Sequence, residues 1–412
     1  MAQVDTIPVF ANRHVLLGVT GSIAAYKSVD LASRLAKAGA VVDVLLTQAA
    51  QQFVSPLTFQ SVTGRGAYTD DDLWGSEAHV IHVGLTQKTD LNLIAPVTAN
   101  TIAKLAHGQA DNLLTLTALA STSPLIIAPA MDAGMFAHAA TQANLETLKE
   151  RGIHILGPAE GRMASGLVGK GRMVEPEEIF GNVRLLLGQQ GELRGRTVIV
   201  TAGGTQEPID PVRVIANRSS GKQGYALAQA AIDRGAKTIL ISAPTTLPTP
   251  FGAECIDVDT AEEMAQAVLA RSDDADVLLM AAAVADFRPD RRVDEKIKRV
   301  LGVPEVKLEP TDDILALVAG RRKKTKKPTV VVGFAAESQD LIENARGKLE
   351  QKGLDLIVAN DITAVDAGFG VDTNRVTVIA EDSEPLELPV MSKYKVAEYI
   401  LGNVVELLAS AD

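Results

Sequence analysis

HVLLGVTGSIAAYKSVDLASRLAKAGAVVDVLLT, residues 14–47, decides the fold. The stretch begins with a short apolar run, turns at Gly21, continues with apolar residues at helical spacing and ends in a second apolar run. A strand, a crossover helix and a parallel strand make one βαβ unit. Apolar runs at 91–98, 124–131 and 152–158 continue the alternation. The sequence therefore predicts an α/β fold built on a parallel sheet.

The same alternation begins again near residue 190. The segment GQQGELRG, residues 188–195, is polar and glycine-rich, and the strand-like RTVIVTAGG follows it directly. We therefore predict two Rossmann-like domains, residues 1–190 and 191–412, with a parallel sheet in each. The later apolar runs that support the second sheet are 237–243, 276–286, 329–337 and 354–361.

Composition excludes several function classes. A chain of 412 residues that is 46% apolar is long enough for two cores. Its formal net charge of −11 argues against a nucleic-acid-binding surface, which needs basic residues to neutralise phosphates. No stretch approaches the roughly 20 apolar residues of a membrane helix, and no signal-peptide pattern is visible. With a single cysteine, Cys255, the chain fits a reducing compartment, so we expect a cytoplasmic protein.

Two features have a chemical and a structural interpretation. The basic run RRKKTKKP, residues 321–328, could bind phosphate. We favour a helix end, where cations complement the macrodipole and Pro328 stops the helix. Cys255, ahead of a helix start at Asp259 and Thr260, is predicted to be a buried strand residue rather than a reactive thiol.

The first glycine-containing turn is a candidate phosphate site. Gly21 and Ser22 lie between a predicted strand and a predicted helix. Backbone N–H groups at such a turn can hold a phosphate with help from the helix dipole. Because any strand-to-helix turn needs small residues, the turn alone leaves both interpretations open.

Four stretches of the first domain resemble the flavin-containing cysteine decarboxylases, over about residues 12–190. The resemblance implies a flavodoxin-like domain that binds FMN, oxidises a substrate thiol and releases CO₂. His82 matches the family's catalytic histidine, and an imidazole suits proton transfer near neutral pH. Without those flanking motifs, His82 would be taken for a surface residue. The stretches are SEAHVIHVGL, LIAPVTANTIAKLAHGQADNLL, APAMDAGMF and ASGLVGKGRM. The residues that the resemblance assigns to FMN are Gly21, Ser22, Thr47, Thr98, Ala99 and Ser121.

Two candidate catalytic positions depart from that family's pattern. Asp132 stands where an asparagine usually binds the substrate carboxylate, and an ionised Asp132 would repel it by about 4 kcal/mol at about 4 Å. We expect Asp132 to be protonated, turned away or relieved by a nearby cation. Ser165 lies in the flap-like segment where many members have a cysteine that protonates the product intermediate. A hydroxyl is a poorer acid than a thiol, so that proton would come from water or His82.

The second domain resembles the phosphopantothenoylcysteine synthetases over about 200 residues. This resemblance implies that a nucleoside triphosphate activates a carboxylate, which the cysteine amine then attacks. The resemblance to fused enzymes of this kind implies CTP rather than ATP, while the residues themselves do not identify the base. The blocks that resemble this family are TAGGTQEPIDPVRVIANRSSGKQGYALAQAA, AAAVADFRP, EKIK, GFAAE and GLDLIVAND.

Several residues of these blocks suit the chemistry. Lys296 would neutralise the triphosphate as pyrophosphate leaves, and Asn217 matches the family asparagine that holds the acyl-nucleotide. Asp286 follows a buried strand, a place suited to Mg²⁺ or ribose hydroxyls. The other residues assigned to nucleotide or substrate are Gly203, Gly204, Thr205, Arg213, Ser219, Ser220, Gly221, Ala283, Phe334, Lys348 and Lys352.

Together these features predict a fused enzyme of coenzyme A synthesis. It would join 4′-phosphopantothenate to cysteine and then decarboxylate the product to 4′-phosphopantetheine. One alternative keeps the ligase but makes the first domain a chemically inert FMN-binding module, because of Asp132 and Ser165. A second, a nicotinamide-dependent oxidoreductase, is disfavoured because the TAGGT turn lacks GxGxxG. The resemblance also implies a homo-oligomer, a dodecamer of decarboxylase trimers and ligase dimers.

Overall fold

The structure is a computed structural model with two compact units, Met1–Leu187 and Gly188–Asp412. This division lies close to the predicted boundary after residue 190. Among the helices that the structure describes, none combines the length and apolarity needed to cross a membrane. The residues described are 6–74, 81–162, 166, 168–298, 305–337, 341–361, 370–381 and 383–411.

The first unit contains a six-stranded parallel sheet in the order β3-β2-β1-β4-β5-β6. This is the Rossmann order, so the predicted fold class is confirmed for this unit. The predicted βαβ unit is present as β1 (His14–Val19), α1 (Ala25–Ala38) and β2 (Val41–Leu46). The other strands are β3 (Ala67–Tyr68), β4 (Leu91–Val97), β5 (Leu125–Pro129), β6 (His154–Ile155), β7 (Ala159–Arg162) and β8 (Val168–Arg172).

Helices cover both faces of this sheet because its central strands are apolar on both sides. Leu31 and Leu35 of α1 and Val183 of α8 belong to one core cluster. Ile102 of α4 and Leu148 of α7 belong to the other. The remaining helices are α2 (Pro56–Thr63), α3 (Ile81–Thr86), α4 (Ala99–His107), α5 (Leu113–Ala120), α6 (Ala133–Ala137), α7 (Ala139–Glu150) and α8 (Pro176–Gly188).

The second unit repeats this strand order in an eight-stranded sheet, β13-β12-β9-β14-β17-β18-β20-β21. The first six strands are parallel, and the last two add an antiparallel edge. The parallel-sheet prediction is therefore confirmed here too. The strands of this sheet are β9 (Thr197–Ala202), β12 (Lys237–Ser242), β13 (Glu254–Asp257), β14 (Val277–Met280), β17 (Val330–Glu337), β18 (Leu356–Asp361), β20 (Val376–Ala380) and β21 (Leu386–Glu387).

Short strand pairs and five helices complete the described part of this unit. One core cluster lies beneath α9 and α13, and a second beneath α10, α11 and α12. The short pairs are β10 (Gln206–Pro208) with β11 (Val214–Ala216), β15 (Phe287–Pro289) with β16 (Leu308–Pro310), and β19 (Thr373–Asn374) with β22 (Met391–Ser392). The helices are α9 (Lys222–Asp233), α10 (Ala261–Ser272), α11 (Ile314–Thr325), α12 (Leu341–Lys352) and α13 (Lys393–Ala411).

The basic run 321–328 and Cys255 each had a chemical and a structural interpretation, and the structure favours the structural one for both. Helix α11 ends at Thr325, and Lys326 adopts the left-handed conformation that terminates helices. The basic run therefore ends a helix, as predicted. Cys255 lies in β13 as expected, but its side chain is only half-buried. Burial, and then the neighbouring Asp257, raise the pKa of the Cys255 thiol, which disfavours the reactive thiolate.

Candidate active sites

In the first unit, five of the six predicted FMN residues lie where three adjacent parallel strands end. Gly21 and Ser22 follow β1, Thr47 follows β2, and Thr98 and Ala99 follow β4. A Cβ atom at Gly21 would lie 2.5 Å from the Ala49 Cβ, so only glycine lets these turns approach. The carboxyl edge of a parallel sheet is the usual ligand position, and here it is a ring of small and hydroxyl side chains.

Thr20, which the sequence did not single out, links the ends of β1 and β4 by hydrogen bonds. Its buried hydroxyl donates to the Pro96 carbonyl at 2.8 Å and accepts from the Thr98 N–H at 3.0 Å. The Thr98 hydroxyl in turn caps α4 by accepting from the Thr101 N–H at 3.4 Å. The position of Thr20 directly before the glycine turn could have indicated this role.

His82 lies in the first turn of α3, where its carbonyl accepts from the Thr86 hydroxyl at 3.0 Å. Its side-chain Nδ1 is buried and has no hydrogen-bond partner among the described residues. Buried polar atoms in proteins are nearly always paired, so an unpaired ring nitrogen indicates a group that bonds to a ligand or passes a proton.

Asp132 is the N-cap of the short helix α6. Its Oδ1 accepts from the Gly134 N–H at 3.0 Å. A backbone donor at a helix start stabilises a carboxylate in its ionised form. The cap therefore does not by itself remove the expected repulsion of a substrate carboxylate, and protonation, reorientation or a nearby cation stays the prediction.

The predicted flap is an antiparallel hairpin of β7 and β8. The Met131 N–H donates to the Gly171 carbonyl at 2.9 Å, which attaches the hairpin beside Asp132. Glu175, just beyond the hairpin, pairs with Lys27 of α1 at 2.6 Å. Ser165, the predicted catalytic residue of the flap, lies outside the described residues.

Ser121, which was also assigned to FMN, lies away from the other predicted FMN residues of this unit. Ser121 ends α5, and its hydroxyl accepts from the Asn92 amide at 2.8 Å. Asn92 is near the start of β4, whereas Thr98 follows its end. Six residues of extended chain, about 20 Å, separate those two positions. Ser121 therefore lies at the amino edge of the sheet, away from Gly21, Thr47 and Thr98.

The second unit contains a cavity of about 820 Å³, a volume that suits a nucleotide-sized ligand. It lies among the carboxyl ends of β14 and β17, the start of α9 and one face of α12. The prediction that Lys348 and Lys352 share a helical face is confirmed, since both line this groove. The predicted residues that line it are Asn217, Ser219, Ser220, Gly221, Ala283, Asp286, Phe334, Lys348 and Lys352.

The start of α9 provides an anion-binding end to the groove. Gly221 is the N-cap in the left-handed conformation, with φ of 73°. The Ser219 hydroxyl accepts from the Gly221 N–H at 3.3 Å and so holds the turn in shape. The helix dipole and the N-terminal N–H groups favour negative charge here.

Gly203, Gly204 and Thr205, which are predicted to contact the nucleotide, lie next to the groove rather than among the residues that line it. A Cβ at Gly203 would meet the Ala243 carbonyl oxygen at 2.6 Å, and one at Gly204 would meet the Asn217 carbonyl oxygen at 2.8 Å. The fully buried Thr205 accepts from the Ala285 N–H at 2.9 Å through its hydroxyl. The two glycines therefore permit close backbone packing, and their contact with phosphate stays a prediction.

Arg213 and Lys296 are also absent from the groove lining. Arg213 Nη1 donates to Asp210 at 2.8 Å and to the Ile297 carbonyl at 3.3 Å. Lys296 is exposed on the segment that contains Ile297. Asn217, in contrast, reaches the groove wall, where its amide donates to the Val284 carbonyl at 2.9 Å.

Sequence reasoning missed several polar residues of the groove. Asn360, at the end of β18, has a buried Oδ1 with no partner among the described residues. Burial and the nearby Lys222 lower the pKa of Lys393 to about 8, against the opposing effect of Asp372. Lys222 pairs with Asp372 at 2.6 Å. The signals were the AND tripeptide at the end of β18 and the lysine directly after the Ser-Ser-Gly turn.

Comparison with known proteins identifies relatives of both units. A family model described as Flavoprotein matches residues 10–187, and one described as DNA/pantothenate metabolism flavoprotein C-terminal domain matches residues 193–408. The Coenzyme A biosynthesis bifunctional protein CoaBC of Bacillus subtilis (strain 168) is 46% identical over 399 residues, which is 96% of this chain and 97% of the relative.

A second relative and a solved structure carry the same description. The Coenzyme A biosynthesis bifunctional protein CoaBC of Mycobacterium tuberculosis (strain ATCC 25618 / H37Rv) is 43% identical over 409 residues, covering 96% of this chain and 97% of the relative. A crystal structure of the C-terminal domain of a protein of that name is 37% identical, with a TM-score of 0.46. It covers 53% of this chain and 99% of its own.

Proposed function

The chain belongs to the family of bifunctional coenzyme A biosynthesis proteins, and on that premise we propose that its two units catalyse consecutive reactions. The second unit joins 4′-phosphopantothenate to cysteine with CTP. The first unit, with FMN, decarboxylates the resulting phosphopantothenoylcysteine to 4′-phosphopantetheine. The observation that carries this proposal is the groove of the second unit, where nine of the predicted residues meet.

The ligase reaction has two balanced steps. A carboxylate oxygen of 4′-phosphopantothenate attacks the α-phosphorus of CTP, and pyrophosphate leaves. The cysteine amine then attacks the acyl carbon of the acyl-cytidylate, and CMP leaves with the amine losing a proton. The start of α9 and the Lys348 and Lys352 ammonium groups stabilise the phosphates. Asn217 bonds to Val284 with one amide hydrogen, and the other suits the acyl oxygen.

Mg²⁺ is part of this proposal, held by Asp286 together with the nucleotide's phosphates. Asp286, Asp312 and Asp313 line the same groove. Among the described residues, no group of three or more acidic, histidine or cysteine side chains is arranged to hold a metal alone. That donor set suits Mg²⁺, which usually binds one or two carboxylates plus substrate phosphates.

The first unit fits FMN by the same kind of reasoning. The glycine turn that would not admit a Cβ, with Thr47 and Thr98 beside it, suits a phosphate and a polar chain. When bound, FMN would supply a reversible two-electron oxidation, taking a hydride from the substrate so that CO₂ can leave and returning it to the product. His82, with its unpaired Nδ1, accepts the proton from the substrate. Asp132, whose carboxylate accepts from the Gly134 N–H beside the flap, would meet the substrate carboxylate.

One sample tests both reactions. Full-length protein with CTP, 4′-phosphopantothenate and cysteine should release pyrophosphate and CO₂ in a one-to-one ratio. Pyrophosphate release without CO₂, from a yellow FMN-loaded protein, would replace the decarboxylase by the inert FMN module. Tight NADPH binding without pyrophosphate release would support the oxidoreductase instead.

The assembly and location are parts of the proposal as well. We propose a homo-oligomer in the cytoplasm, specifically a dodecamer. Light scattering should then give a mass about twelve times the 43.5 kDa of one chain. A monomer mass at micromolar concentration would contradict it.

A further inference from the structure

Asp210 is a buried carboxylate that the proposed reaction does not use. Its Oδ1 accepts from the Val212 and Arg213 N–H groups, each at 2.8 Å. Its Oδ2 accepts from Arg213 Nη1 at 2.8 Å and from the Ile297 N–H at 3.2 Å. Burial acts to raise the pKa of Asp210, but the N–H donors and the Arg213 charge outweigh it and lower that pKa. Asp210 is therefore a fixed negative charge with four donors.

Three of those donors are local, but the fourth joins a distant segment. Ile297 directly follows Lys296, and its carbonyl accepts from Arg213 Nη1 at 3.3 Å. The Val293 N–H donates to the Ile209 carbonyl at 3.1 Å. Three hydrogen bonds thus attach the segment 293–297 to the tip of the β10–β11 hairpin.

The other end of that hairpin is fixed to the groove. Thr205, before β10, bonds through its hydroxyl to the Ala285 N–H. Asn217, after β11, bonds to the Val284 carbonyl and lines the groove. One short hairpin therefore connects a groove residue to the segment that contains Lys296.

We propose that Asp210 is a positioning residue for the ligase reaction: by holding Ile297, it sets where the Lys296 ammonium can reach relative to Asn217. The inference rests on the proposed ligation. Lys296 is exposed, and a flexible lysine on an untethered loop would lose entropy whenever it met a phosphate. A tethered backbone lowers that cost, and a shift of about 1 Å can change a rate by roughly 100-fold.

Asp210→Asn in the full-length, FMN-loaded chain tests this role. The substitution keeps the shape but removes the charge that holds Arg213 and Ile297. We expect kcat for CTP-dependent ligation to fall about 10- to 100-fold, with KM for CTP and 4′-phosphopantothenate changed by less than about threefold. CO₂ release from added phosphopantothenoylcysteine should be unchanged.

A double-mutant cycle shows whether Asp210 acts through Lys296. In a Lys296→Gln background, Asp210→Asn should slow ligation by less than about twofold further. An equal fold-loss in both backgrounds, or no loss in the natural chain, would overturn the proposal. If the natural chain itself fails to ligate, the proposed function is what fails.

Asp276 provides the matched control. It also accepts from a backbone N–H, that of Thr197 at 2.8 Å, and pairs with Lys327 at 2.6 Å. It precedes β14, at the edge of the sheet opposite the groove. Asp276→Asn should lower the melting temperature while leaving kcat within about twofold.

A second variant keeps the test decisive if Asp210→Asn does not fold. Arg213→Lys retains a positive charge but not the geometry that reaches both Asp210 and the Ile297 carbonyl. It should reduce kcat less than Asp210→Asn would, and that loss should likewise vanish in the Lys296→Gln background. A loss that persists there would contradict the positioning role.

Discussion

In both units, a threonine hydroxyl links two neighbouring strands at the carboxyl edge of the sheet by a hydrogen bond. In the first, Thr20 follows β1 and its hydroxyl accepts from Thr98, just beyond β4. In the second, Thr201 lies at the end of β9 and its hydroxyl accepts from the Ala282 N–H, just beyond β14, at 3.1 Å. Each threonine ties the first strand to the neighbour across which the strand order reverses, the position where such sheets bind ligands.

The edges differ in charge. The first has hydroxyl groups at this edge, and the same unit contains the N-cap carboxylate of Asp132, the Lys27–Glu175 ion pair and His82, whose buried Nδ1 has no partner among the described residues. Four lysines line the groove of the second, namely Lys222, Lys348, Lys352 and Lys393. A polyphosphate substrate needs cations, whereas a decarboxylation needs controlled proton transfer. The shared fold thus supplies the position, and the side chains select the chemistry.

The largest expected effect is the loss of the first unit's activity without a loss of the second unit's activity. His82→Asn removes the proposed proton acceptor of the first unit. CO₂ release should fall about 100- to 1,000-fold, while pyrophosphate release from the second unit stays unchanged. His107→Asn is the control, since His107 is an exposed histidine in the last turn of α4. A loss below about threefold for His82→Asn, measured with FMN content held equal, would remove the imidazole from the mechanism.

The second prediction concerns the glycine turn beneath the groove. Gly203→Ala adds the cost of a side chain at φ of 81° to a contact of 2.6 Å with the Ala243 carbonyl. We expect a loss of about 3 kcal/mol in unfolding free energy. Gly195→Ala, at φ of 78° with no atom within 4 Å of the added Cβ, should lose only about 1 kcal/mol. Equal losses of unfolding free energy for the two variants, measured by calorimetry, would show that the contact with Ala243 adds no cost.

These glycines also show how much of the fold and of the site the sequence could predict. Periodicity predicted both sheets, because buried parallel strands are continuous apolar runs. Family motifs predicted the groove residues from Asn217 to Lys352. The TAGGT turn shows a limit of the motif, because glycine permits close approach to any neighbour, whether phosphate or backbone. In the folded chain the neighbours of these two glycines include the Ala243 and Asn217 carbonyls, which the motif did not predict.

Hydrogen bonds between distant segments were equally invisible in the sequence. Arg213 and Lys296 match family motifs, but a motif does not state which direction an arginine takes. The buried Asp210 draws Arg213 toward Ile297 rather than toward the groove. The unpaired atoms of His82 and Asn360 likewise depend on what the folded chain leaves around them.

The third prediction tests the cationic groove by pH. The pKa of Lys393 is about 8, below the ordinary 10.5, so the unfolded chain binds more protons between these values. Lys393 should therefore contribute stability as pH rises, about 2 kcal/mol between pH 7.5 and pH 9.5. Denaturant titrations of the natural chain and Lys393→Met at both pH values measure the difference. A pH-independent difference would contradict the low pKa.

The smallest expected effect comes from comparing Ser121 with Thr98, which lie at opposite edges of the first sheet. Ser121→Ala removes the acceptor of the Asn92 amide at the amino edge and should cost about 1 kcal/mol of unfolding free energy. FMN content after dialysis should not change, because the Gly21, Thr47 and Thr98 turns lie at the other edge. Thr98→Val loses a similar hydroxyl, the cap of α4, and should lose stability and FMN together. Release of FMN by Ser121→Ala at natural stability would support the original assignment and require that Ser121 meet the flavin of another chain.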